Sequence, residues 1–119
     1  MDTPTPEEME RLLVENDLVV VDYYATWCIP CKGYTPKFQR LEREMRREFP
    51  HAKVAFVSVD VDRDHAEARR GRVQSVPTTI AWERRRGLFG WRRRERLRFS
   101  GDRPWNDLLR TFHDLVGGL

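Results

Sequence analysis

The sequence predicts an α/β fold in which one mixed sheet carries helices on both faces. Three observations predict it. Two apolar, β-branched runs, residues 18–25 and 54–61, read as buried strands with an amphipathic helix between them. Two further strand-like runs, 77–82 and 95–99, read as an antiparallel pair. The resulting order is helix, strand, helix, strand, helix, hairpin, helix, which places helices on both sides of a sheet of about four strands. At 119 residues the chain accommodates one core and is too short for two, so residues 1–119 are expected to form one domain.

Thr5-Pro6-Glu7-Glu8 starts the first helix: Thr5 is a candidate N-cap, Pro6 suits the first helical position, and Glu8 completes a capping box. Met9, Leu12 and Leu13 form its apolar stripe, which ends near Asn16-Asp17. Residues 18–25 form a central strand, apolar on both faces except at Asp22. The helix that follows, from about Cys31 or Lys32 to Phe49, turns Phe38, Leu41, Met45 and Phe49 inward, and Pro36 is expected to kink it. After the strand at 54–61, residues 64–70 read as a short helix. A last helix over 103–116 has Pro104 near its start and Trp105, Leu108, Leu109, Phe112 and Leu115 on one face. Residues 1–4 and 117–119 are expected to fray.

Composition narrows the class. Charged residues make up 34% of the chain and apolar ones 39%, as in a small, strongly solvated domain. No apolar run reaches the length of a membrane span. No basic segment followed by an apolar core and a small-residue cleavage site is visible. The expected location is cytoplasmic, with an exported form whose signal has been removed as the alternative.

The chain has two cysteines, and they form Cys28-Ile29-Pro30-Cys31 at the junction between a predicted strand and a predicted helix. A helix N-terminus offers unpaired N–H groups and partial positive charge, which stabilise a thiolate on Cys28. Cys31 lies about one turn on, within reach of a disulfide with Cys28. The pair therefore reads as a dithiol switch, with a structural disulfide or an inert pair as the alternative. Zinc needs about four ligands, and His51, His65 and His113 are scattered, so no metal site is expected. Asp22, an acid in an apolar strand, is expected to be buried with a raised pKa, which makes it a candidate proton acceptor for Cys31.

The segment from Val21 to Lys32 (Val-Asp-Tyr-Tyr-Ala-Thr-Trp-Cys-Ile-Pro-Cys-Lys) resembles the active-site segment of thioredoxins. The likeness continues through Pro36, Val59-Asp60-Val61-Asp62, Val76-Pro77-Thr78 and Gly101, and so spans almost the whole chain in order. The resemblance implies a thioredoxin fold and a redox-active Cys28–Cys31 disulfide with no bound cofactor. It implies that Cys28, exposed at the helix start, is the nucleophile, that the more buried Cys31 resolves the mixed disulfide, and that Asp22 accepts a proton. It further implies that Trp27 shields the cysteines, that Ile29 and Pro30 face substrate, and that Val76 precedes a cis Pro77 and offers its backbone to substrate.

Departures from the family pattern accompany the likeness. Ile29 stands where glycine is usual, and Ser58 where a lysine commonly neighbours the buried aspartate, which predicts a higher proton affinity for Asp22. The usual first strand is expected to be missing. Residues 83–98 replace a short turn with a longer hairpin. Eight arginines against two glutamates give this segment +6, so the rest of a +3 chain carries −3 and the basicity is one patch. Gly87 and Gly90 can turn the chain and expose Leu88, Phe89 and Trp91 between arginine arms. Arg84, Arg85, Arg86, Phe89, Trp91, Arg92, Arg93 and Arg94 are the candidate partner patch, for an acidic protein or an anionic surface. The competing reading is a solvated hairpin whose arginines keep an edge strand soluble.

The leading functional expectation is a monomeric protein-disulfide reductase that acts on disulfide-containing proteins and is recycled by a thioredoxin-reductase-like or other dithiol donor. The alternatives are a disulfide oxidase or isomerase on the same fold, and a redox-sensing module that docks through the 83–98 hairpin.

Overall fold

The computed structural model describes residues 1–119. Thr5 caps the first helix, α1 (Pro6–Glu15), by the capping box read from the sequence: its hydroxyl accepts the N–H of Glu8, and the Glu8 carboxylate accepts the N–H of Thr5. β1 (Leu18–Tyr24) follows, then α2 (Ile29–Glu48), β2 (Val54–Asp60), the short α3 (His65–Arg70), the hairpin strands β3 (Thr78–Gly87) and β4 (Gly90–Ser100), and α4 (Trp105–Gly117). The sheet order is β2-β1-β3-β4, with β1 parallel to β2 and antiparallel to β3.

Strand parity sorts the core into two layers. Leu18 and Val20 point to the face covered by α2 and α4, where Tyr34, Phe38, Leu41, Met45, Leu108 and Phe112 pack. Val19, Val21 and Tyr23 point to the other face, against Met9 and Leu13 of α1. Asp22 shares the parity of Leu18 and Val20, so the alternation of β1 itself turns its carboxyl toward α2.

Several boundaries differ from the sequence expectation. α2 begins at Ile29, because the Cys28 sulfur serves as its N-cap. Pro36 lies within α2 as expected, on its exposed side, and the helix ends at Glu48, one residue before Phe49. The hairpin strands extend to a Gly87–Gly90 pair, well beyond 77–82 and 95–99, with one irregularity in register between Ala81 and Trp82. Residues 1–3 are ordered: Ser58 donates its N–H to the Met1 carbonyl at 2.9 Å, and the Ser58 carbonyl accepts from Thr3. A single parallel bridge between Asp2 and Ser58 thus stands beside β2 in place of a first strand. The exposed edge of β2 supplies the unpaired backbone groups that tie this segment down. No helix is long and apolar enough to cross a membrane.

Candidate active site

β1 ends at Tyr24, and Ala25-Thr26-Trp27 carries the chain directly into α2. The Tyr23–Thr78 register pair brings the start of β3, and hence Val76-Pro77, to the same end of the sheet. This is the C-terminal end of the parallel pair, where α/β sheets place their sites. Cys28 and Cys31 are joined there as a disulfide with Cα atoms 5.3 Å apart. The Cys28 sulfur accepts the backbone N–H of Cys31 at 3.2 Å. It therefore sits at the positive end of a 20-residue helix, and both effects favour a thiolate there over a thiol.

The family resemblance implies an exposed Cys28 and a more buried Cys31. Each is only 3% exposed. The two sulfurs turn toward each other and close a small apolar cluster with Ala25 against Tyr24, Val61 and Val76. The carbonyl oxygen of Val76 lies 3.5 Å from the Cys28 sulfur, and the Val76–Pro77 peptide is cis. Pro77 carries no N–H to donate toward the disulfide.

Around this buried disulfide stands an exposed apolar rim. Ile29 is 78% and Trp27 69% exposed, and Pro30 is exposed beside them. The Trp27 indole N–H donates to Asp62 at 2.9 Å, which fixes the ring at the surface. Nothing in the local sequence of Trp27 announces a partner 35 residues on. A cleft of about 140 Å³ lies between Trp27, Val61 and the 73–76 segment. Larger clefts, of about 370 and 290 Å³, lie under the hairpin beside α1, away from the cysteines.

Asp22 has no exposed surface. The Thr35 hydroxyl donates to its Oδ2 at 2.8 Å, while Oδ1 has no hydrogen-bond partner within the chain. Burial is the main influence on this carboxyl and raises its pKa to about 6. The hydroxyls of Thr35 and Ser58 pull the other way, and the charge of Asp2 adds to the rise. The direction agrees with the expectation drawn from an acid within an apolar strand. Thr35 lies four residues beyond Cys31, on the same face of α2, so its bond to Asp22 sets that carboxyl beneath the helix face that carries Cys31. Thr35 and Asp2 are the site residues that sequence reasoning missed. The i, i+4 relation of Thr35 to Cys31 is visible in the sequence, whereas the return of Asp2 to β2 is not.

Family comparison agrees with this geometry. The thioredoxin sequence profile matches residues 2–98. The chain belongs to the thioredoxin family. It is 35% identical over 77 residues to a thioredoxin of Echinococcus granulosus, covering 65% of this chain and 66% of that one. It is 33% identical over 79 residues to thioredoxin-1 of Saccharomyces cerevisiae, covering 66% of this chain and 71% of that one. These matches thus span about two thirds of the relatives' length. Among solved structures, the thioredoxin of Fasciola hepatica superposes with a TM-score of 0.70 at 28% identity, covering 98% of this chain and 96% of that one. Membership, with the Cys28–Cys31 pair in place, makes the chain a thiol–disulfide oxidoreductase of the protein-disulfide reductase class.

The arginine patch separates into two groups. Arg93 leaves the candidate surface: its side chain is only 10% exposed and makes a bidentate pair with Glu67 of α3 at 2.6 and 2.8 Å. Arg84 donates to the carbonyl of Val14 and stacks on Trp91, 4.4 Å from the ring centre. Arg94 and Arg96 pair with Glu83, and Arg98 pairs with Glu95 and caps the Gly71 carbonyl. Arg85, Arg86 and Arg92 are exposed, and their side chains take part in none of these ion pairs or hydrogen bonds.

Proposed function

We propose that the chain reduces disulfides in partner proteins, with Cys28 as nucleophile and Cys31 as resolving thiol. In the dithiol form the Cys28 thiolate attacks one sulfur of a partner disulfide. A mixed disulfide forms and the first partner thiolate leaves and takes a proton. Cys31 then gives its proton to Asp22 and attacks the Cys28 sulfur, which expels the second partner thiolate. Two electrons have passed to the partner, and Cys28–Cys31 is again a disulfide. A thioredoxin-reductase-like or other dithiol donor restores the thiols, in a reducing cytoplasmic compartment. The exposed rim of Trp27, Ile29 and Pro30, with the half-buried Val76 carbonyl, receives the partner as an extended segment.

The observation that carries this reading is the Cys28 sulfur at the N-cap of α2, accepting the Cys31 N–H. The test is the reduction potential of the couple, measured by equilibration in defined thiol/disulfide buffers. A value near ~−270 mV is expected for a reductase. A value between about −180 and −120 mV assigns the chain to oxidation or isomerisation instead, with Ile29 as the first residue to replace.

Asp22 gives this mechanism a pH signature. Its folded pKa of about 6 lies above the ordinary 3.8. The carboxylate able to accept a proton therefore becomes available as pH rises through about 6, and resolution of the mixed disulfide is expected to accelerate over that range. Asp22→Asn should remove the inflection and slow resolution by about 10²-fold at neutral pH. Stability changes in the opposite sense. Between about pH 4 and 6 the native state holds a proton that the unfolded chain has released, so the stability that Asp22 contributes is fully present below about pH 4 and is lost as pH rises through about 6. Asp22→Asn escapes this loss and should be more stable than wild type by up to about 3 kcal/mol at pH 7, with the difference vanishing near pH 4. Urea midpoints at the two pH values, and stopped-flow resolution of a preformed mixed disulfide, measure both effects.

A further inference from the structure

We propose that the hairpin tip is an attachment site for anionic lipid membranes. Leu88 and Phe89 form the two-residue turn between Gly87 and Gly90 and are 88% and 92% exposed. The turn does not call for them. Neither takes a positive φ, which falls on Gly90, so the backbone of the turn makes no demand for these two side chains. Two adjacent large apolar side chains at the point farthest along a hairpin cover nothing in the chain itself. Trp91, 54% exposed, stands one rung below them.

The free charge is gathered at the same place. Lower in the hairpin, Arg93, Arg94, Arg96 and Arg98 are all paired with acids. Arg85, Arg86 and Arg92, on the last rungs before the turn, are not. The cross-strand pairs there are Arg85–Arg92 and Arg86–Trp91, and successive pairs face opposite sides of the ribbon. The unpaired guanidinium groups thus surround the ribbon as a collar, and the apolar tip projects beyond it. A globular acidic partner would engage one face of the ribbon. A flat anionic surface met end-on engages the collar on both faces at once, with the tip among acyl chains, the indole at the interface and the arginines among phosphates. Keeping an edge strand soluble accounts for the arginines but not for Leu88 and Phe89.

The geometry also fixes which way the site would face. β3 starts beside the disulfide and runs ten residues to Gly87, so the tip lies about 30 Å from Cys28–Cys31 at the opposite end of the sheet. Attachment through the tip presents the disulfide away from the lipid, open to partner proteins. A small apolar insertion with three charges gives reversible binding rather than permanent anchorage.

Sedimentation of the full chain with vesicles tests the proposal. Binding is expected to vesicles of phosphatidylcholine mixed with phosphatidylglycerol, to weaken as salt is raised, and to be absent with phosphatidylcholine alone. Replacing Arg85, Arg86 and Arg92 together by Ser should weaken binding by about 100-fold, at roughly fivefold for each arginine. The Leu88→Ser/Phe89→Ser double variant should lose at least about tenfold. Both variants should keep wild-type disulfide turnover in solution, which checks that they fold. In a Phe89→Trp variant, brominated lipid should quench the new fluorophore. Failure to sediment with anionic vesicles at low salt overturns the proposal. So does undiminished binding of the tip double variant, which would mean charge adherence without insertion. Retention on immobilised polyglutamate without vesicle binding overturns it in favour of an acidic protein.

Discussion

Cys31→Ser should stop the reaction at its midpoint. With Cys28 intact, the thiolate at the helix N-cap still attacks a partner disulfide, but nothing then attacks back. The variant is expected to accumulate a covalent complex with its partner that survives non-reducing electrophoresis and is released by dithiothreitol. Turnover should fall to the rate of the small-thiol reductant alone. Cys28→Ser should fall as far without forming the complex, because Cys31 lacks the N-cap position that favours a thiolate. The asymmetry is the informative outcome, since a purely structural disulfide would lose stability with either change and trap nothing. A trapped complex on Cys31 in the Cys28→Ser variant would reverse the assigned roles.

Arg93→Met should destabilise the fold by about 3–5 kcal/mol, a large share of the 5–15 typical of a domain. Glu67 is 8% exposed and is held by Arg93 and by the Tyr23 hydroxyl, which donates to it at 2.9 Å while accepting from the Trp82 indole at the same distance. Removing the guanidinium leaves a buried carboxylate without its counter-charge. At about 4 °C per kcal/mol for a chain of this size, Tm should fall by about 12 to 20 °C. Arg92→Met, one residue away on the outer part of the ribbon, should change stability by no more than about 0.5 kcal/mol. Glu67→Gln in the Arg93→Met background should recover part of the loss, since it removes the stranded charge and keeps an acceptor for Tyr23. Thermal melts of the four proteins at one pH decide this. Equal effects at positions 92 and 93 would refute the distinction between a structural and a free arginine.

That contrast marks where sequence reading reaches its limit. Arg92, Arg93 and Arg94 are consecutive and chemically identical, and charge patterning treats them as one run. Strand parity shows that they alternate faces, but not which face lies under α3. Only the placement of α3 on the α1 side of the sheet, with Glu67 turned inward, selects Arg93 for burial. The burial of Cys28 departs from the expectation for a related reason. Its position at a strand-to-helix junction was plain, whereas its burial depends on Val61 and on Val76, 48 residues away.

What the sequence by itself determined was what short-range physics controls. Period-two and helical patterning set the order of elements and the two-layer α/β arrangement; Thr5 and Glu8 set the start of α1; the cysteine spacing at the junction set the redox chemistry; an aspartate amid valines and tyrosines set a raised pKa. Only the tertiary structure decided the partners that meet across the fold. These are Thr35 on Asp22, Asp62 on Trp27, Glu67 on Arg93, and the first three residues on the edge of β2. Each of these polar groups has many chemically adequate partners in a chain rich in charge, and hydrogen bonds carry no period that a sequence could display. The choice among them follows from packing the apolar faces, which positions the backbone first and leaves each buried polar group to bond with whatever lies within reach.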